Sequence, residues 1–213
     1  MAREGLPFLV ITGLVSVVLF TLFGALGLKV LAYLGGVSGA LFFLICFFFR
    51  DPERVAPAGE GLVVSAADGW VAGVREAGEA GPGDGGIQVS VFLSIFDVHV
   101  NRIPFPGRIG SVNRRRGRFF LAFFERASAE NEQVAVEIEH AGGTLVVKQI
   151  AGFFARRIVC RATEGARVER GERFGLIKFG SRVDHVLPLG SEVRVRVGDR
   201  VRAGETVIGV IKT

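Results

Sequence analysis

The chain has 213 residues, 49% of them apolar, with a formal net charge of +5. That is enough for one ordinary domain with a real core, and too little apolar content for a protein embedded throughout in a bilayer. Its two cysteines, Cys46 inside an apolar run and Cys160 far outside it, argue against a structural disulfide and suit a reducing compartment.

From Leu6 to Leu28 there is no charged side chain, and after Lys29 a second charge-free run extends from Val30 to Phe49. At about 1.5 Å per residue the combined stretch is roughly twice as long as a hydrocarbon core is thick, so two passes, or one span plus a tilted interfacial segment, fit it. It is far longer than a secretory signal core and no small-residue cleavage site stands out, so residues 1–50 read as a retained helical anchor, most simply a hairpin. Arg3 precedes it and Arg50 and Arg54 follow it, which puts both ends in the cytoplasm and Lys29 at the outer turn. The part of the chain that follows the anchor then lies on the cytoplasmic face of the cell membrane.

After Phe49 the composition changes at Arg50-Asp51-Pro52-Glu53-Arg54, and residues 51–213 read as one soluble domain. Leu62-Val63-Val64, Ile87 to Leu93, Val134 to Ile138 and Thr144 to Val147 are β-branched and separated by Gly, Asp or Pro. They predict short strands in a mostly β, antiparallel domain. Ser65 to Val71 contains an Asp68-Gly69 turn between two such strands, and Phe119 to Ala129 is the best helical candidate, with a strand leading into a loop as the alternative. The basic run Arg114, Arg115, Arg116 and Arg118 favours an anionic lipid surface over nucleic acid once an anchor is present.

The end of the chain repeats itself. Gly165-Ala166-Arg167-Val168-Glu169-Arg170-Gly171-Glu172, followed by Gly175-Leu176-Ile177-Lys178, returns 33 residues on. The second copy is Gly198-Asp199-Arg200-Val201-Arg202-Ala203-Gly204-Glu205, followed by Gly209-Val210-Ile211-Lys212. Each copy has the spacing of a tight glycine turn feeding a strand, as in lipoyl or biotinyl carrier hammerheads. The architecture expected is an antiparallel barrel-like sandwich built from hammerhead-type hairpins.

Between the copies lies Phe179-Gly180-Ser181-Arg182, where a strand pattern runs into a turn. Glycine there permits strain and exposes its carbonyl, and the hydroxyl of Ser181 is placed to attack it if a base takes the proton and donors hold the oxyanion. Strict alternation puts Phe92, Ser94, Phe96 and Val98 on one face and Leu93, Ile95, Asp97 and His99 on the other. His140, beside Ala141-Gly142-Gly143, reads as a hairpin residue, and His185, four residues beyond Ser181, is a weaker candidate base. No cluster of Cys and His has metal-ligand spacing and no glycine loop would cradle phosphate, so neither metal nor nucleotide is expected.

The chain resembles the short, membrane-associated phosphatidylserine decarboxylase proenzymes over nearly its whole length. The resemblance rests on Phe48 to Arg54, Ala67-Asp68-Gly69, His99-Val100-Asn101-Arg102, Ala127 to Glu132, Gln149 to Ile158, and Gly171 to Arg182. It implies self-cleavage between Gly180 and Ser181 into a β subunit, 1–180, and an α subunit, 181–213, with Ser181 becoming a covalent pyruvoyl cofactor. It further implies that this ketone engages the amine of phosphatidylserine and withdraws electrons as carbon dioxide leaves, yielding phosphatidylethanolamine. The αβ unit is expected to form a homo-oligomer at an anionic membrane, with no nucleic acid partner. By the same resemblance Asp68 orients a histidine and His99 is the candidate base, though Arg102 stands where longer relatives carry a second histidine. Asn101, Arg102, Arg156 and Arg157 are candidates to bind the substrate's phosphate or carboxylate, with ion pairing to Glu132, Glu172 or Asp184 as the alternative. The rival reading from the terminal repeat is a membrane-tethered carrier or adaptor of the lipoyl-hammerhead type without catalysis.

Overall fold

A computed structural model describes residues 1–78, 85–117, 130–152, 157–178 and 181–212. The chain divides into two units, Met1–Pro52 and Glu53–Thr213. In the first, α1 (Leu6–Leu26) and α2 (Lys29–Phe48) are joined by Gly27 and Leu28, with Gly27 in the left-handed conformation that ends a helix. Both are long and apolar enough to cross a bilayer. Large apolar side chains such as Phe43 (72% exposed) and Val37 (67%) face outward, so lipid is their natural solvent. Hydroxyls within the helix pair are bonded across it, Ser16 Oγ to the Gly35 carbonyl at 3.0 Å and Ser38 Oγ to the Thr12 carbonyl at 2.8 Å.

The second unit is β. Its strands are β1 (Leu62–Val64), β2 (Gly69–Glu76), β3 (Ile87–Leu93), β4 (Val100–Arg102), β5 (Gly107–Arg115), β6 (Gln133–His140) and β7 (Gly143–Ala151). They continue as β8 (Ile158–Cys160), β9 (Arg167–Val168), β10 (Arg173–Ile177), β11 (Ser181–Leu187), β12 (Glu192–Val193), β13 (Arg200–Val201) and β14 (Val207–Val210). Eight of them form a curled antiparallel half-barrel in the order β13-β2-β3-β11-β7-β6-β5-β9. Two three-stranded sheets, β1-β14-β12 and β4-β10-β8, complete the unit.

Period-two patterning selects the core. Val89, Val91 and Leu93 of β3, Val183 and Leu187 of β11, Leu145 and Val147 of β7, and Val134, Val136 and Ile138 of β6 all bury in one cluster. The intervening residues go to the other face, where Gln88, Ser90, Arg182 and Asp184 are themselves buried.

The expected strands at 62–64, 87–93, 134–138 and 144–147 form as read, and each repeat copy gives a two-residue strand, a tight turn and a longer strand. The helix expected over Phe119–Ala129 falls outside the described residues. Two readings need correction. Alternation does not run on to His99, because β3 stops at Leu93 and residues 94–97 turn, with the Asp97 carboxylate accepting from the Ser94 N–H at 2.8 Å and Oγ at 2.7 Å. Asp68-Gly69 does lie between two strands, but they belong to different sheets: β1 pairs with β14 and β2 with β3 and β13.

Candidate active site

Ser181 opens β11, the strand flanked on both sides within the large sheet. Its backbone is opposite Leu93, the last residue of β3, and Ala151, the last of β7. The residue is fully buried, and its Oγ has no hydrogen-bond partner among the described residues. Leaving a buried hydroxyl unpaired costs about 1–3 kcal/mol, an expense that a purely structural serine would not carry. Phe179 and Gly180, the residues before it, lie outside the described residues.

The approach to Ser181 is built by β10. Gly175 pairs with Asn101 and Leu176 with Val100, while the Ile177 N–H donates to the His99 carbonyl at 3.3 Å. A Cβ on Gly175 would sit 2.5 Å from the Val159 carbonyl oxygen and 2.6 Å from the Gln149 amide nitrogen, so only glycine lets these strands close. The Lys178 N–H then donates to the Arg157 carbonyl at 3.4 Å. His99 and Arg157 thus flank the two residues that lead toward Gly180 and Ser181.

His99 is completely buried. Its Nδ1 lies 2.9 Å from the Asp97 carbonyl, which can only accept, so Nδ1 is the donor in that bond. His185 is different. Its Nε2 accepts from the Ala66 N–H at 2.7 Å and its Nδ1 donates to the Val89 carbonyl at 3.1 Å. Burial pushes its pKa down to about 4, against smaller raising contributions from the Val89 bond and Asp184. Both ring nitrogens are committed, which leaves His185 a neutral structural pin.

The other sequence candidates divide. Asp68, expected to orient a histidine, instead takes a bidentate grip from Arg54 at 2.5 and 2.8 Å and the Ala203 N–H at 2.8 Å. The cause is local: the turn 65–68 aims the carboxylate at the extended chain after α2 and at the turn of the second repeat. Asn101 is buried, accepting from Gln149 at 2.8 Å and donating to the Ala66 carbonyl at 3.4 Å. Arg102 is also buried, donates to the Gly171 carbonyl at 2.9 Å and packs its stem against Gly204, so it ties the two repeat turns together. Arg157 is exposed, and Arg156 lies outside the described residues.

Three features were missed by reading residues one at a time. Asn131 is buried and donates to the Ala151 carbonyl at 2.7 Å, on the residue facing Ser181. Gln149 supports Asn101. Beyond Ser181, Arg182 is clamped on the far face by Asp184 at 2.6 Å and Ser90 at 2.8 Å, with Gln88 reaching Asp184 at 2.9 Å. Period two puts Arg182 opposite in face to Ser181, but only the cross-strand register shows that Ser90 and Gln88 meet it.

A fully buried hydroxyl with no hydrogen-bond partner among the described residues, at the head of a central strand, suits a lyase proenzyme that makes its carbonyl cofactor from its own serine. A family model described as phosphatidylserine decarboxylase matches residues 41–209. The phosphatidylserine decarboxylase proenzyme of Geobacter metallireducens is 44% identical, covering 99% of this chain and 96% of that protein. Proenzymes of the same name from Geotalea daltonii and Ruegeria pomeroyi are each 45% identical, covering 98% of this chain and 95% and 94% of theirs. The chain belongs to the phosphatidylserine decarboxylase family. It is a carboxy-lyase acting on phosphatidylserine, made as a proenzyme, with a serine-derived pyruvoyl group as cofactor.

Proposed function

We propose that the serine from which this decarboxylase takes its pyruvoyl group is Ser181, freed by cutting the Gly180–Ser181 bond. The observation that carries this is the Ser181 Oγ, buried without a hydrogen-bond partner among the described residues at the first position of β11. In the cut, Oγ attacks the Gly180 carbonyl and the bond to the Ser181 nitrogen breaks, leaving an ester and a free amine. β-Elimination then breaks the Cβ–Oγ bond, releasing Gly180 as a carboxylate, and hydrolysis of the dehydroalanine expels ammonia. The ladders of β11 with β3 and β7 keep the new terminus in place throughout.

His99 is the base this reading favours, its neutral ring donating through Nδ1 to the Asp97 carbonyl and taking the proton at Nε2. Asp68 then acts as a positioning residue, fastening Arg54 and Ala203, rather than as a member of a triad. Once formed, the pyruvoyl group supplies an electron-withdrawing carbonyl that stabilises the charge left on the α-carbon as the carboxylate departs. Lys178 and Arg157, joined backbone to backbone just ahead of the Gly180–Ser181 bond, are the cations this reading assigns to the lipid's phosphate. The residues from 1 to 50 form the anchor, a helical hairpin with Arg3 and Arg50 on the cytoplasmic side, and the catalytic residues work on that face. The two small sheets and the half-barrel together make a barrel-like sandwich with hammerhead-type repeat turns.

Ser181→Ala should give one full-length, inactive chain by intact mass spectrometry, where the parent gives fragments of 1–180 and 181–213. Normal processing of that variant overturns the reading. His99→Gln should slow processing or turnover by about 10²–10⁴-fold, the usual worth of a positioned base. A loss under about threefold would assign the proton to another group.

A further inference from the structure

We propose that the turn Ser94–Asp97, together with Trp70 and Arg200, is a docking edge for a phospholipid bilayer carrying anionic lipid, seated beside the place where the head group reacts. The inference rests on Ser181 being the processed residue. Ile95 is 50% and Phe96 64% exposed, two adjacent apolar side chains at the tip of a turn. The turn leaves β3 directly after Leu93, the cross-strand partner of Ser181, so register puts it at the end of the sheet where Ser181 starts.

The tip is held rigidly. Asp97 is fully buried and accepts from Ser94, and its other oxygen pairs with Arg200, whose own side chain is 51% exposed. The Arg200 guanidinium carbon lies 4.9 Å over the Trp70 ring, and Trp70, opposite Phe92, is 47% exposed. An aliphatic and an aromatic tip, an indole on the neighbouring strand and a cation that bridges the indole to Asp97 form the composition that settles at a membrane–water boundary. Apolar tips enter the acyl region, the indole sits at head-group level and the guanidinium meets lipid phosphate. A second protein copy fits less well, because four partly exposed side chains fall far short of the ~800 Å² per partner that a stable interface needs.

Trp70 is the only tryptophan in the chain, so it reports on this edge without labelling. The full-length protein is reconstituted in phosphatidylglycerol–phosphatidylcholine vesicles with brominated or ordinary acyl chains. Bromine should quench Trp70 emission by about half or more, and aqueous iodide should quench it less than in detergent. The double variant Ile95→Ser, Phe96→Ser should lose the bromine quenching. It should also lose about tenfold of its decarboxylation of vesicle phosphatidylserine while turning over a soluble dihexanoyl phosphatidylserine within about twofold of the parent.

Trp70 open to iodide in vesicles and untouched by bromine would overturn the proposal. So would equal losses on both substrates, or shielding of Trp70 that follows protein concentration without lipid, the sign of a second copy. Failure of the Ser181 reading is seen separately, as a single uncut chain in the mass spectrum.

Discussion

The two halves of the β unit repeat one plan and differ at one connection. β9 closes one edge of the large sheet on β5 and β13 closes the other on β2; β10 and β14, which follow them, are the middle strands of the two small sheets. In one half β6 and β7 form an ordinary hairpin, His140 opposite Gly143, with Ala141-Gly142 between. In the other half β3 and β11 pair in the same antiparallel sense, Leu93 opposite Ser181, but all of β4 to β10 intervenes along the chain. Ser181 therefore stands where a hairpin's returning strand begins, with the turn missing. A bond just ahead of that position can be cut at little cost to the fold, because the strand after it is held on both sides.

The largest test contrasts these two strand starts. Ser181→Ala should abolish processing, whereas Gly143→Ala should process normally and lose only stability. At Gly143, φ is +122° and an added Cβ meets nothing nearer than Pro188 at 3.5 Å, so the cost is backbone strain of about 1–3 kcal/mol. A Gly143→Ala chain that folds but stays uncut, judged by its mass and thermal midpoint, would break the comparison.

The outer faces of the paired strands offer the next contrast. Arg182 and Asp184 of β11 have side chains 6% and 1% exposed, and Asp184 pairs in register with Lys148 of β7. Burial pulls the Lys148 pKa below its usual value, and Asp184 partly restores it. Asp184→Ala strips buried Arg182 of its counter-charge and should cost about 3–5 kcal/mol in detergent unfolding. Glu137→Ala on β6, a half-buried position of the hairpin half, should cost under about 1 kcal/mol. Equal losses would mean that the clamp behind Ser181 is not special.

Much of this was legible beforehand, because the relevant signals are local. Period-two runs gave the strands, the charge-free stretches gave the helices, and the 33-residue repeat gave the matching turns. Pairings between distant strands were not legible. Nothing in Asp68 announces that Arg54, from a segment read for its charge and as part of a family motif, will take both carboxylate oxygens. The alternation beyond Leu93 failed because a four-residue turn capped by Asp97 looks, in sequence, like more strand. His99 and Ser181 could be named from the family motif, but the bonds from the Ile177 and Lys178 N–H groups to the His99 and Arg157 carbonyls depend on register.

The smallest test uses the two histidines that the halves place differently. His140, at the closed hairpin, is half-buried and accepts from the Gly142 N–H at 3.0 Å, and burial lowers its pKa. His185, inside the open half, is lowered to about 4. Both stay neutral in the fold at a pH where the unfolded chain, with an ordinary histidine pKa near 6.5, takes up protons. Stability is therefore full above about pH 6.5 and falls as pH drops toward 4, since the unfolded state then binds more protons than the native one. For His185 the loss should reach about 2 kcal/mol by pH 5 and level off near 3 below pH 4, at about 1.4 kcal/mol per unit. A His185→Gln variant, less stable at neutral pH, should show a shallower decline between pH 6.5 and 5, followed by Trp70 fluorescence on denaturant unfolding. An unchanged slope in that window would mean that His185 is not the neutral pin that joins β11 to the turn at Ala66.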